Sequence, residues 1–569
     1  MNMRFPTLRG AAFAIALLFC FVREGSTMEN LDRGLNAMPG RDGGVYLSWR
    51  LLPQDTHTVT FHVYRSDDHS DLPAKLTAQP IAKTTDFADS KARRGVNYVY
   101  TVVPVVDGRE TAGEIQTSIT PGADTSRCRI IKLQGDYTAR MATVADLDGD
   151  GQLEFIIKQP DFNADPYQRP GYWKPSQDTY KIEAYKQDGS MMWRYDMGWA
   201  IEEGTWYSPI LVYDMDGDGK AEVYCKAGEG DPRNEAGLVE TGPEWLVKLD
   251  GRSGQIAAKA PWPSREGFED YNRYCRNFLS VAYLDGKNPV LIVERGTYGL
   301  IKILALDGAL QPIWRWEASG ECQGYRGQGA HKIQPADIDD DGRDEVIFGS
   351  ACLDDNGKPL WNAGLGHPDC MFVNDMDPMR PGLKIYYGLE KKRDKNAVCL
   401  VDARTGQLIW GYEGPTKHVH GKGMAGDIDP RHAGIEFHAA EKDGTNCWLY
   451  AASGKLINQD KMGGTSPHCL WWDADPQKEL LINKTISDFA GPEIDSIEGQ
   501  ILAIGDFLGD WREEIITSIP GELRIYSTNI PATSRRVCLL KDRQYRVGVA
   551  SSTSGYYFEP QMGSIPLEM

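Results

Sequence analysis

Asp146-Leu-Asp148-Gly-Asp150-Gly-Gln-Leu-Glu154 recurs twice in this chain, as Asp214-Met-Asp216-Gly-Asp218-Gly-Lys-Ala-Glu222 and Asp337-Ile-Asp339-Asp-Asp341-Gly-Arg-Asp-Glu345. Side-chain oxygens fall at loop positions 1, 3, 5 and 9 in every copy. With a backbone carbonyl at the seventh position, such a loop can wrap a hard divalent cation, and calcium takes about six to eight oxygens. An EF-hand would add a bidentate Glu at the twelfth position and a helix on each side. That position here is Ile157, Cys225 or Phe348, and the residues after each Glu are strand-like. The loops therefore predict several calcium ions held inside a repeated β fold.

Five weaker copies extend the series. They are Leu284-Asp285-Gly-Lys-Asn-Pro, Asp375-Met-Asp377-Pro, Asp427-Ile-Asp429-Pro, Asp473-Ala-Asp475-Pro and Asp506-Phe-Leu-Gly-Asp510-Trp-Arg-Glu-Glu514. Calcium is expected at Asp427 and Asp429 and at Asp506, Asp510 and Glu514. The Asp375 copy has Lys384 where the Asp427 copy has Glu436, which argues against metal there. Between loops lie strand-turn-strand segments such as Ile303-Leu-Ala-Leu-Asp307-Gly308 followed by Trp314, in which Gly supplies the positive φ of a hairpin turn. The recurring Trp is expected to pack between neighbouring units. Eight units predict an all-β chain whose residues 123–569 form an eight-bladed β-propeller. Residues 28–122 alternate like a small sandwich, with Trp49 early and Tyr98 and Tyr100 late, so a fibronectin III-like domain is expected to precede it.

The formal charge of −19 offers no basic stripe for phosphates and argues against nucleic acid. Arg4 and Arg9 precede the apolar run Ala11 to Val22 and a polar break. That pattern predicts a signal peptide over residues 1–27, too short for a membrane span, and hence a secreted or periplasmic protein. Of the 11 cysteines, none forms a CxxC pair. Zinc is not expected; most read as small buried hydrophobes, and some could pair in an oxidising compartment.

His331 and His367, the latter followed by Asp369, precede acidic loops in matching repeat positions and are expected to converge at the mouth of the fold. Further motifs run in order along the chain: Gly34-Leu-Asn-Ala37, Gly43-Gly-Val-Tyr-Leu-Ser-Trp-Arg50, Gly242-Pro-Glu-Trp-Leu, and Asp270-Tyr-Asn-Arg273 through Arg276-Asn-Phe278. Gly327-Gln-Gly-Ala-His331, Gly364-Leu-Gly-His367-Pro-Asp369, Gly421-Lys-Gly-Met-Ala-Gly-Asp-Ile-Asp-Pro430 and Gly505-Asp-Phe-Leu-Gly-Asp-Trp-Arg-Glu-Glu514 complete the set. Taken together they resemble the family 11 polysaccharide lyases, the rhamnogalacturonan lyases. The resemblance implies an eight-bladed propeller, bound calcium and β-elimination on the galacturonate–rhamnose backbone of rhamnogalacturonan I, a pectic polysaccharide; a monomer is expected. It also implies a metal at His331, His367 and Asp369, and a substrate-contacting aromatic at Tyr556, with Tyr557 as a second wall.

Lys422 stands where the resemblance implies an Arg in endo-acting members, and could bind carboxylate or act as base. Arg295 and Arg326 are further candidates for a carboxylate fork. The chain departs from the family pattern at Asp495-Ser-Ile-Glu498, where a catalytic Lys is implied and none is present. Lys174 or Lys226 could replace it. Three other readings compete: a non-catalytic glycan-binding propeller, a lyase on another uronate-containing glycan, and an integrin-like adhesion propeller.

Overall fold

The computed structural model describes residues 30–67, 72–122 and 128–563. The expected leader, residues 1–27, lies outside them. Strands dominate the described residues, and their α-helices are Tyr271–Tyr274 and Arg543–Ala550. None of these is long and apolar enough to cross a membrane.

From residue 128 onward the strands form eight four-stranded antiparallel sheets in succession. The first seven open on Met141–Ala145, Ile210–Tyr213, Asn277–Ala282, Gly329–Ala336, Pro368–Asn374, Met424–Gly426 and His468–Leu470. The eighth opens on Gln500–Gly505 and borrows its fourth strand, Cys128–Lys132, from the other end of the region. Both ends of the repeat are thereby hydrogen-bonded into one sheet. Opening strands of sheets one to five touch in succession, six touches seven, and eight touches one. Neighbours on both sides leave these strands buried almost throughout, whereas a fourth strand such as Met191–Asp196 alternates with solvent.

Two devices repeat. In the first, the Glu at the ninth loop position, or the tenth for Glu436, turns back on its own loop. Glu154 accepts from Leu147 N at 2.7 Å, Glu345 from Ile338 N at 3.0 Å, Glu436 from Ile428 N at 3.0 Å and Glu514 from Phe507 N at 2.8 Å. That clamp satisfies a buried backbone donor whether or not metal binds. In the second, a fourth-strand Trp donates its indole N–H to a carbonyl in the turn of the next sheet. Trp193 reaches Gly251 O at 2.7 Å, Trp314 reaches Asp355 O at 2.9 Å, and Trp361 and Trp410 reach Ala403 O and Ala452 O at 3.0 Å. The ring then covers a glycine of that turn: a Cβ on Gly406, at φ +69°, would lie 2.8 Å from Trp361.

The C-terminal segment runs back across the opening strands. Helix Arg543–Ala550, capped by the Asp542 carboxylate on Tyr545 N, packs on sheets one to three. Thr553 Oγ1 donates to Ile210 O at 2.7 Å and Ser554 Oγ accepts from Leu279 N at 2.6 Å. Tyr556 N then donates to His331 O at 3.2 Å, which delivers Tyr556 to Glu559 to the starts of the opening strands.

Residues 30–122 form a three-stranded and a five-stranded sheet over one core that includes Trp49, Phe61, Tyr98 and Tyr100. Arg512 of the eighth sheet's acidic loop donates to Tyr46 OH at 2.6 Å, and Arg50, fully buried, donates to Phe507 O. One expectation is corrected here: Cys225, Cys275, Cys322, Cys352, Cys370, Cys399, Cys447, Cys469 and Cys538 form no disulfides among the described residues. Cys352, Cys370 and Cys399 pack as small apolar groups in the sheet cores instead.

Candidate active site

Polar side chains enter at the starts of successive opening strands. Arg140, Arg276 and Lys422 precede the first, third and sixth, His331 lies in the fourth, His367 and Asp369 flank the start of the fifth, and His468 begins the seventh. The acidic loops leave the far ends of the same strands, so the two kinds of site are separated by the length of a strand.

Asp369 is the hub. Its Oδ1 lies 3.1 Å from His331 Nε2 and 3.3 Å from His367 Nε2, and its Oδ2 lies 2.6 Å from His420 Nδ1. The two Nε2 atoms are 3.2 Å apart. His367 Nδ1 faces Gly329 O at 2.5 Å, which assigns the proton to Nδ1 and leaves Nε2 with its lone pair. Burial, then His367, holds His331 down to about 4, against the pull of Asp369. Burial would raise Asp369, yet the imidazoles of His331, His367 and His420 around it keep its carboxyl well below the usual range. Two imidazoles and a carboxylate converging on one point fit a divalent cation, and nitrogen donors suit a transition ion better than calcium. Glu390 adds negative charge, 3.8 Å from His367 and 3.5 Å from His418.

Aromatic rings frame this cluster. Tyr298 packs on His367 at 4.4 Å between centroids, and Trp206 and half-buried Tyr556 pack on His331 at 4.5 and 4.6 Å. Arg276 forks Asp165 at 2.7 and 3.1 Å and lies 4.9 Å from the Trp206 ring, pinning the insertion after the first acidic loop to the site. On the other flank, Gly421 N donates to Asp369 Oδ2 at 3.2 Å, one residue before Lys422. The Lys422 ammonium sits 5.3 Å from the Tyr557 ring. Burial lowers this lysine while Glu559 opposes the shift. His468 Nδ1 hydrogen-bonds Glu559 in turn.

Thus His331, His367, Asp369, Lys422 and Tyr556 come together, and several other candidates do not. Arg295 is wholly buried and forks Glu244 at 2.6 and 3.1 Å, with Pro263 O and Tyr274 O as further acceptors, so its substrate role is corrected to a structural one. Lys226 sits 2.7 Å from the same Glu244 and is excluded as base. The Tyr557 hydroxyl is locked to Ile504 N and O at 2.6 and 3.1 Å, which makes it a support rather than an open wall. Arg326 pairs with Glu269, and exposed Lys174 lies over Phe162 at 4.0 Å; neither touches the histidine cluster. Sequence reading missed Trp206, Arg276, Tyr298, Glu390, His420 and the His468–Glu559 pair. Their shared signal is position, at or just before an opening strand or in the turn beside it.

The strong acidic loops fit an oxygen-ligated cation. Asp146, Asp148 and Glu154 converge, Asp148 Oδ1 is buried without a partner among the described residues, and burial pushes Glu154 and Glu345 up to about 8. In the second loop Lys248 offsets part of the charge, 3.1 Å from Asp216 and 2.6 Å from Glu222. Two weaker loops are corrected. Arg431 forks Asp429 at 2.7 and 2.8 Å, and Arg512 forks Asp510 at 3.0 and 2.7 Å. A guanidinium two residues on provides the positive charge there, so Asp429 and Asp510 are not free to ligate metal. Asp427, Asp506 and Glu514 lose their co-ligands with them.

Comparison with known proteins agrees with this arrangement. Residues 26–119 match the family profile "Rhamnogalacturonan I lyases beta-sheet domain", and residues 132–567 match "Rhamnogalacturonan lyase family 11, C-terminal domain". The rhamnogalacturonan endolyase YesW of Bacillus subtilis strain 168 is 36% identical, covering 94% of this chain and 90% of its own length. The rhamnogalacturonan exolyase YesX of the same organism is 32% identical over 94% of each chain. The crystal structure of YesW superimposes with a TM-score of 0.86 at 34% identity, covering 95% of this chain and 97% of that one. That of a Bacillus licheniformis rhamnogalacturonan lyase gives 0.85 at 34% identity, covering 94% and 96%. With one profile spanning most of its length and relatives this similar from end to end, the chain belongs to rhamnogalacturonan lyase family 11.

Proposed function

We propose that this protein is an exported lyase that cleaves the galacturonate–rhamnose backbone of rhamnogalacturonan I by β-elimination. The eight sheets are the blades of one closed propeller, the N-terminal unit is its fibronectin III-like companion, and the working form is a monomer. The observation that carries the activity is the convergence of His331, His367 and Asp369 beside Lys422 at one end of the opening strands. Export rests on the apolar run Ala11 to Val22 behind Arg4 and Arg9.

Elimination removes a proton from C5, α to a carboxylate whose own charge makes that proton weakly acidic. A divalent cation bound by His331, His367 and Asp369 would neutralise this charge and stabilise the enolate-like state. Lys422 presents a second positive group to the same carboxylate. Half-buried Tyr556, backed by the buried Trp206 ring, gives a sugar ring an apolar face, and the buried floor beneath it excludes water. Calcium in the strong acidic loops would stabilise blades without touching the substrate, because those loops sit at the far ends of the strands.

The test is incubation with rhamnogalacturonan I, with and without chelator, followed by calcium or manganese. The reading expects unsaturated-uronate absorbance that disappears with chelator and returns with metal; no absorbance from any pectic substrate with metal restored would refute it. A glycan-binding propeller is the second reading. It is favoured by Glu498, which is exposed and paired with Arg524 where the family pattern implies a lysine. Tight oligosaccharide binding without product would establish it.

A further inference from the structure

The proton at C5 needs a base, and the segment in which the family pattern places one offers none. Asp495 and Ser496 lie on the outermost strand of the seventh sheet, and the Glu498 carboxylate is held by Arg524. At the inner end of that same sheet, however, stands a titratable pair that the sequence reading did not single out. His468 begins the opening strand, its Nδ1 hydrogen-bonded to the Glu559 carboxylate, and its ring keeps 14% of its surface open while Glu559 is almost closed off. An imidazole that donates Nδ1–H to a buried carboxylate holds its Nε2 lone pair outward, ready to take a proton.

The surroundings bring this imidazole close to the other groups of the site. Lys422 and His468 approach the same Tyr557 ring, at 5.3 and 6.1 Å, while adjacent Tyr556 packs on His331 at 4.6 Å. One dipeptide therefore separates the histidine–aspartate cluster from His468. Ser466 Oγ accepts from Lys422 N at 3.0 Å, which ties the two strand starts together. Lys422 cannot easily serve both purposes: it neutralises a substrate carboxylate only while protonated, and it accepts a proton only while neutral. Two side chains resolve that conflict.

We propose that His468, oriented by Glu559, is the base that removes the C5 proton, with Lys422 holding the uronate carboxylate. This deepens the lyase reading above and rests on it. Imidazole Nε2 takes the C5 proton, and the C5–H electron pair forms the C4–C5 double bond. The C4–O bond breaks with its pair on the glycosidic oxygen, which picks up a proton from water and leaves as the hydroxyl of the next sugar. The imidazolium, its Nδ1–H still on Glu559, returns the captured proton to solvent. Glu559 acts as a positioning residue.

The experiment compares wild type, His468→Ala, His468→Gln, Glu559→Gln and Lys422→Gln on rhamnogalacturonan I, reading unsaturated uronate, metal content and thermal midpoint. His468→Ala and His468→Gln should lose about 100-fold or more in kcat with little change in KM, and free imidazole should restore part of the His468→Ala activity. Glu559→Gln should lower kcat at unchanged KM, while Lys422→Gln should chiefly raise KM. A wild type that makes no elimination product overturns the lyase reading and this inference together. An active wild type whose two His468 variants stay within about threefold overturns this inference alone, and so does a loss in both that imidazole does not relieve.

Discussion

Asp369 faces three imidazoles, and two of them meet it on one oxygen with their ring nitrogens 3.2 Å apart. Lone pairs so placed repel unless a cation lies between them, so if a divalent ion binds there, His367→Ala should weaken its binding. It should also cut the elimination rate by about 100-fold, the kinetic equivalent of losing several kcal/mol of charge stabilisation. Metal analysis alongside uronate absorbance checks both, and a variant that keeps full activity would remove the cluster from the mechanism. Lys158 shows the opposite use of burial. Its ammonium donates to Ser208 O at 2.9 Å and Ser208 Oγ at 3.0 Å in a fully buried spot, where burial, then Arg140, lowers it to about 7. A lysine held below its ordinary value contributes its full stability only at high pH, and loses it as pH falls toward about 7. Lys158→Met should therefore raise the neutral-pH thermal stability, on the order of 2 kcal/mol, with a gain that shrinks in alkaline buffer. The His331–His367 pair was legible in sequence because its members fall at matching repeat positions. Arg295 was not, because nothing local reveals that Glu244, far away in sequence, neutralises it.

At the scale of the element, the fourth strands of sheets one, three, four and five are each fastened to the next sheet by one indole over one glycine. Trp361→Ala should cost about 3–5 kcal/mol, from the lost ring and its hydrogen bond to Ala403 O. Gly406→Ala should cost about 1–3 kcal/mol, because the added methyl meets that ring from a left-handed backbone position. Chemical denaturation ranks the two. A Gly406→Ala variant as stable as wild type would show that the ring yields. The acidic loops make a different prediction. Asp148→Asn should lose one bound calcium and lower the thermal midpoint in calcium, yet leave kcat unchanged at low temperature, since the active end lies beyond the strand. Calorimetry and product absorbance separate these effects. Loop ligands were readable from their spacing, and packing of the Trp between units was readable from its recurrence. The clamp of each Glu on its own loop was not, because a metal ligand and a backbone acceptor need the same residue at the same offset. Nor could spacing show that Arg431 and Arg512 stand in for a cation, since an arginine two residues on is an ordinary surface residue until its fork is seen.

Across the whole molecule, a period of hydrophobic strands punctuated by acidic turns made an all-β, repeated architecture legible from sequence alone. The borrowing of Cys128–Lys132 by the eighth sheet was not, because that pairing joins residues roughly four hundred positions apart with no local signature. The same limit hid the active end. Its members come from the first, third, fourth, fifth, sixth and seventh sheets and from the C-terminal segment, and only the tertiary fold makes them neighbours. The family's chemistry rests on elimination, and elimination differs from hydrolysis in whether solvent oxygen enters the product. Digestion of rhamnogalacturonan I in heavy-oxygen water, with metal present and products weighed, tests this most directly. The account predicts unsaturated oligosaccharides lighter by one water and free of the heavy isotope at the new ends; saturated products carrying heavy oxygen would contradict it.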